Sequence, residues 1–546
     1  MSKPWLAAYG DTVPAEIDPD AYSSLKELLV EAVDTYGDKI ALYGETASLS
    51  YRDWGELSRD FAAYLQTGLG VGKGDRIAVM APNIISFPVA MFGILHAGAV
   101  QVNVNPFYTA EELRHQLNDA GVEIIVAVAG SVPTLAEVMN DTPVRSVIVV
   151  HRDDIGDGAI SASLVEPAIT DAVGFADTLR TGREMGFVPP VLSGDDPIFF
   201  QYTGGTTGPS KGAVLSNRNV VSNITQVIAM LESSFRPGED VVVTVLPLYH
   251  IFGLTVNLMI FAKLGGENHL VAEPRDLDRI TDIFRTYPVT ATSGVNTLWA
   301  SLVEHPGFAE CDFSTLRFVA GGGAPLHEAT AEKWHAVTGA HINQGYGMSE
   351  ASPVVSTNPY AWKGYATHSG LPLPSTEVIL LDDTNRPVPP GAHGEICVRG
   401  PQVMKGYWNR PEDTDQALTE DGFFRTGDIG TLDAEGFLSI VDRKKDMVLV
   451  SSFNVYPAEI EAYVSKLEGI AECAVIGVPD EKSGEAVVLY VSVSTDAALS
   501  PDDIRAFCRK GLAAYKVPKE IRIQKTLPKS TVGKILRRKL RDSHVT

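Results

Sequence analysis

The chain has 546 residues, too many for one ordinary hydrophobic core, so about two to four folding units are expected. Its 45% hydrophobic and 21% charged content excludes a disordered chain. A formal charge of −23 excludes a general nucleic-acid binder, because a polyanion is repelled wherever basic residues do not cluster.

The opening MSKPWLAAYG lacks the charged-then-apolar order of a signal peptide, and the most apolar stretch, 87–104, is broken by His96, Gln101 and Asn103. A cytoplasmic protein without a membrane span is therefore expected. Helical patterns then alternate with short apolar runs: DRIAVMAP (75–82), VEIIVAVAG (122–130), VRSVIVV (144–150), PIFF (197–200) and DVVVTVLPL (240–248). Strands alternating with helices predict an α/β chain with largely parallel sheets. Between Gly370 and Gly430 a Gly- and Pro-rich series of turns, including RPVPPGAHGE (386–395), predicts short β elements rather than helices. The texture changes again at DRKKD (442–446): residues 446–546 carry fifteen Lys/Arg against thirteen Asp/Glu, in a chain that is otherwise strongly acidic. This predicts a large N-terminal domain over 1–441, a connecting segment at 442–446 and a small α+β C-terminal domain over 447–546. Cys311, Cys397, Cys473 and Cys508 form no CxxC pair, which predicts neither a disulfide framework nor a metal site.

Chemistry concentrates first in Gln201-Tyr-Thr-Gly-Gly-Thr-Thr-Gly-Pro-Ser-Lys-Gly212, directly after an apolar run. Glycines allow close backbone approach, hydroxyls donate hydrogen bonds, and Lys211 adds charge, which together suit a polyphosphate. The spacing is not that of a Walker A loop, because Pro209 and Ser210 separate Gly208 from Lys211 and no Ser or Thr follows the lysine. Taken alone, such a loop is equally an ordinary surface turn. At the other end, thirteen Lys/Arg and only Glu520 among the acids lie between Arg505 and Arg541, either a solvated face or an attractor for a small anion.

The loop resembles the phosphate-binding signature of the adenylate-forming superfamily of acyl-CoA synthetases, luciferases and adenylation domains. Seven further segments match that family in its own order: LPLYHIFG (246–253), GGGAP (321–325), QGYGMSE (344–350), GEICVRG (394–400), TGDIG (426–430), DRKKD and PKSTVGKILRR (528–538). The text around them, such as YPVTATSGVNTLW (287–299) and MVLVSSFNVYPAEIE (447–461), is most similar to bacterial long- and medium-chain fatty acyl-CoA ligases.

The resemblance implies an ATP-dependent acid:CoA ligase that makes acyl-AMP and then acyl-CoA, with ATP, Mg²⁺ and coenzyme A as its small-molecule partners. It places Thr203, Thr206, Thr207 and Lys211 at the β- and γ-phosphates, and Glu350 at Mg²⁺, a cation that prefers hard oxygen ligands. Gly322, Gly323, Ala324 and the Gln344-Gly345-Tyr346 turn resemble the adenine site. Asp428 matches the carboxylate that accepts the ribose hydroxyls and Arg443 the residue that assists it. Lys534 matches the catalytic lysine: an acid's carboxylate attacking the α-phosphorus brings two anions together, which a bridging cation stabilises. His250, Phe252, Val256, Val295, Asn296, Gly321 and Gly347 fall where the family lines its acid pocket. Lys445 matches the hinge about which the small domain turns.

Two positions depart from the family: Ser349 stands where Thr is common, and Ser452 where relatives usually carry a glycine that lets backbone pass near the pantetheine arm. A Cβ there bears on thioester formation and not on adenylation. The reading leaves open a fatty acid of medium or long chain, an aryl or other small acid, and an acyl-AMP ligase that loads another thiol. A non-catalytic nucleotide-binding scaffold is the reading from another class, and the joint presence of Lys211, Glu350, Asp428 and Lys534 argues against it. Oligomeric state and peripheral membrane contact stay open.

Overall fold

The computed structural model describes residues 3–156, 159–160, 169, 171–203, 209–451, 453–480, 482–494, 499–530 and 533–545. Each apolar run singled out above forms a strand: Arg76–Met80, Ile124–Val128, Ser146–Val150, Pro197–Thr203 and Val241–Thr244. They carry apolar residues without alternation because both faces of their sheets are covered by helices.

Seven described strands make the first sheet, in the spatial order 211–216, 197–203, 100–103, 76–80, 124–128, 146–150, 173–174. All neighbours run parallel except the first pair, an antiparallel hairpin at the edge. A second sheet of nine described strands has a parallel interior, in which Ala291–Gly294, Phe318–Gly321 and Asn343–Gly347 lie side by side. One apolar cluster joins the two sheets, with Phe199 from the first and Val242 and Phe318 from the second.

The turn-rich region supplies Glu377–Leu381, Gly394–Arg399 and Phe424–Leu432, which with Leu438–Arg443 make a four-stranded antiparallel sheet. It also contains a helix, Pro411–Ala417, where the sequence pointed to β structure alone. Seven residues are too short to show helical periodicity, and Pro411 at the first helical position reads equally as a turn. After the 442–446 segment comes a separate sheet built on Ile470–Asp480 and Gly484–Val493, with its own core of Val448, Ile460, Val475, Leu489 and Ile504. The chain is thus mixed α/β, with a large N-terminal region of parallel sheets and a smaller C-terminal one. No helix among the described residues is long and apolar enough to cross a membrane. The four cysteines are free and buried.

Candidate active site

The edge hairpin sets Thr203 directly opposite Lys211, with the Thr203 hydroxyl 3.5 Å from the Lys211 carbonyl. Thr206 and Thr207 lie outside the described residues. Two elements brace the hairpin. On one side, residues 405–408 add to its outer strand, through Val214 N–H to the Gly406 carbonyl (2.9 Å) and Trp408 N–H to the Gly212 carbonyl (2.8 Å). On the other stands helix Ala110–Ala120. At its start the Thr109 hydroxyl accepts the Glu112 N–H and the Glu112 carboxylate accepts the Thr109 N–H, and Gly121 ends it at φ 62°. From this helix a His115 ring nitrogen meets the Ser210 carbonyl at 2.9 Å, and Asp119 accepts from the Tyr202 hydroxyl (2.7 Å) and from Arg410 (2.9 Å).

The brace brings in residues that the sequence reading did not single out. Tyr407 donates its hydroxyl to Glu350 Oε1 at 2.8 Å, and its ring centre lies 5.4 Å from the Lys211 ammonium. Lys211 Nζ pairs with Asp413 Oδ1 at 2.5 Å. Burial raises the Glu350 carboxyl above the usual carboxylate range, and the Tyr407 donor opposes that rise. Thr203, Lys211 and Glu350 are therefore brought together, with Tyr407 between the lysine and the carboxylate. Neither period-2 nor helical patterning marks 406–414; its density of aromatic and charged residues in a turn-rich stretch was the available signal.

On the nucleotide side, parallel strands Phe318–Gly321 and Asn343–Gly347 pair Gly321 with Gln344. Gly322, Gly323 and Ala324 follow the carboxyl end of the first strand, and Gln344, Gly345 and Tyr346 lie in the second. Such carboxyl ends are where α/β sheets open a crevice. A Cβ at Gly347 would stand 2.3 Å from the Pro353 carbonyl oxygen, so this close approach admits glycine alone. Asp428 is buried, at 5% exposure, and is held from two sides: Tyr346 donates its hydroxyl at 2.6 Å, and Arg443 Nε lies 3.2 Å away as the cross-strand partner. Burial and this carboxylate drive the Tyr346 phenol far above its ordinary pKa, so it stays a donor.

Among the residues expected to line the acid pocket, Val256 is buried in the helical stretch Gly253–Met259, which follows His250 and Phe252. The Phe252 ring packs on Gly322, where a Cβ would come within 3.2 Å of it. Asn296 is committed locally, accepting the His327 backbone N–H at 2.9 Å. Burial, with Lys534 second, pulls the His250 imidazolium down to about 4, so the ring is neutral at ordinary pH.

Lys534 arrives from the C-terminal region. Its turn is closed by Ser530 N–H to the Lys534 carbonyl (2.7 Å), Lys534 N–H to Ser530 Oγ (3.1 Å), and Gly533 at φ 77°. Gly533 lies against the acid side, where a Cβ would stand 2.8 Å from Thr297 Oγ1 and 3.4 Å from a Val295 methyl. The following helix, Arg537–Val545, is tied down by Arg537 to Glu461 (2.6 and 2.8 Å) and by Arg541 to Asp446. The Lys534 side chain keeps solvent access yet is crowded. Its desolvation, followed by the charge of Arg443, lowers its ammonium to about 8, while Asp428 opposes the fall. One lysine is thus within electrostatic reach of both the Asp428–Arg443 pair and His250. Lys445 lines a cavity of about 300 Å³ with Thr426, Gly427, Arg443 and Lys444. Ser349 is buried in the turn before Glu350. Ser452 lies outside the described residues.

Residues 29–408 match the AMP-binding enzyme family and residues 459–534 the AMP-binding enzyme C-terminal domain. The chain is 50% identical to a long-chain-fatty-acid–CoA ligase of Yersinia pestis, over all of this chain and 99% of that protein. It is 34% identical to 4-coumarate–CoA ligase 2 of Oryza sativa subsp. japonica, over 89% of this chain and 86% of the other. The crystal structure of ATP-bound MatB from Rhodopseudomonas palustris superposes with a TM-score of 0.84 at 29% identity, covering 95% of this chain and 99% of that one.

Proposed function

The chain belongs to the AMP-binding enzyme family, and on that premise we propose that it is an AMP-forming acyl-CoA synthetase that activates a medium- or long-chain fatty acid. The observation that carries the reading is the Lys534 turn, whose Gly533 packs against Val295 and Thr297 while the lysine lies within electrostatic reach of the Asp428–Arg443 pair and of His250. A lysine there bridges the two substrates: Asp428 takes the ribose hydroxyls, and the neutral His250 borders the acid.

In the first half-reaction the acid's carboxylate oxygen attacks the α-phosphorus of ATP, a P–O bond forms, and the bond to pyrophosphate breaks. No base is required, because the acid is ionised near neutral pH. Lys534 balances the charge that gathers between carboxylate and α-phosphate, while Thr203 and Lys211 hold the β- and γ-phosphates with Thr206 and Thr207. In the second, the thiol sulfur of CoA attacks the acyl carbon and AMP leaves. Lys534 would obstruct that approach, so the C-terminal domain, 447–546, turns about Lys445 within the 442–446 segment.

Glu350 fits Mg²⁺: it is a single hard carboxylate, and Mg²⁺ keeps most of its shell for water and phosphate oxygens, so no cage of protein ligands is needed. Among the described residues no group of three or more His, Cys, Asp or Glu forms such a cage. When bound, the ion supplies Lewis-acid charge neutralisation at the phosphates. The fatty-acid assignment rests on the 50% identity, and chain length within that class is the open variable.

ATP–pyrophosphate exchange across fatty acids of graded length and several aryl acids, with thioester formation followed in parallel, tests the reading. Exchange and thioester with fatty acids are expected. Exchange confined to aryl acids would overturn the substrate, exchange without thioester would indicate another acceptor, and no exchange with any acid would remove the enzyme.

A further inference from the structure

Lys211, assigned above to the triphosphate, already has an anion. Its ammonium pairs with Asp413 Oδ1 at 2.5 Å, and both side chains keep about a third of their surface in water, 39% and 32%. The segment that carries this carboxylate is anchored on both sides of it. Residues 405–408 are hydrogen-bonded along the strand Lys211–Ser216, the Tyr407 N–H donates to Thr414 Oγ1 at 3.0 Å, and Arg410 is tethered to Asp119 at 2.9 Å. Asp413 sits between these anchors, in the first turn of Pro411–Ala417. Main-chain pairing between the two segments therefore keeps Asp413 within side-chain reach of Lys211.

We propose that Asp413 is a resident competitor for the triphosphate: it holds Lys211 while no nucleotide is bound and must release it when ATP enters. This rests on the assignment of Lys211 to the phosphates. A partly exposed ion pair is weak enough to be exchanged for a multiply charged phosphate chain. A nucleotide whose phosphates do not reach Lys211 leaves the pair intact and bears none of this cost. Asp413 thereby weakens the binding of ATP and leaves that of AMP unchanged. A carboxylate that only braced Lys211 for phosphate would have the opposite effect on affinity, so the sign of one measured constant distinguishes the two.

In the full-length protein, Asp413→Asn is expected to lower KM for ATP in pyrophosphate exchange by roughly two- to fivefold, the worth of a partly exposed ion pair. KM for the acid should stay unchanged, and the gain should shrink in added salt, which screens the pair. Asp413→Glu, which keeps the charge, should stay near the parent protein. If the Asn variant does not fold, Asp413→Ser provides the same comparison. An unchanged or raised KM for ATP in a folded neutral variant overturns the proposal. Lys211→Ala separates the two levels. If it raises KM for ATP while Asp413→Asn does not lower it, the competitor falls and the phosphate assignment stands. If Lys211→Ala leaves KM for ATP unmoved, both fall.

Discussion

In the role proposed for it, Lys534 has to be charged to balance the carboxylate and the α-phosphate, yet its surroundings work against that charge. Desolvation and Arg443 hold its ammonium near 8, well below the 10.5 of an ordinary lysine. The charged form is the working one, so kcat/KM for adenylation should fall as pH rises through about 8, since that ratio reports the free enzyme. Lys534→Arg, which stays protonated, should move the alkaline limb upward. Lys534→Ala should slow pyrophosphate exchange by roughly 10²–10³-fold, as loss of one preorganised charge donor does. An alkaline limb that stays put in the arginine variant would assign that ionisation to another group. Lys534 could be read from the sequence because its GK pair recurs at the family's position. Its low pKa could not, because the burial and the Arg443 charge that lower it come from residues distant in the chain that become neighbours only through folding.

Helix Pro457–Val464 offers its first N–H groups without a side-chain cap from Tyr456. Asp442 serves instead, accepting the Ala458 N–H at 2.7 Å from the far side of the 442–446 segment, and its other oxygen accepts the Arg443 N–H at 2.7 Å. Burial nonetheless raises the Asp442 carboxyl to about 6 from 3.8, with Arg537 opposing. The sign follows from linkage. Between about pH 4 and pH 6 the unfolded chain has lost this proton while the folded chain retains it, so the contribution of Asp442 to stability declines as pH rises through that window. The decline amounts to about 3 kcal/mol at most. Asp442→Asn should remove it, so melting temperatures of variant and parent should converge toward low pH and diverge in the variant's favour toward pH 7. A constant difference across the window would sink the assignment. At this scale the apolar runs 75–82 and 144–150 were legible as strands because burial on both faces leaves an uninterrupted apolar signature. The helix Pro411–Ala417 was not, since its position comes from pairing of the preceding residues with a distant strand.

Over the whole molecule, Lys534 and the residues we propose it serves belong to different regions, joined through 442–446. If Lys445 is the hinge, Lys445→Pro should restrict its φ and leave the arrangement in which Lys534 is within electrostatic reach of Asp428 and His250. Pyrophosphate exchange should then survive while thioester formation from preformed acyl-AMP falls by about tenfold or more, the outcome expected where a domain rotation gates one step. Equal loss of both half-reactions would place the turning point elsewhere. Composition, strand periodicity and the order of eight short segments were enough to determine an α/β architecture, two regions of opposite electrostatic character and the identity of Thr203, Lys211, Glu350, Asp428 and Lys534 as candidates. These are properties of local residue choice, which the chain displays without folding. Tertiary structure alone decided that Tyr407 stands between Lys211 and Glu350, that Asp413 already pairs with the lysine, and that Asp442 caps a helix beyond the 442–446 segment. Each depends on residues up to about two hundred positions apart meeting at a sheet edge or a domain junction. Distances of that kind are set by packing, and nothing in the spacing of either partner records them.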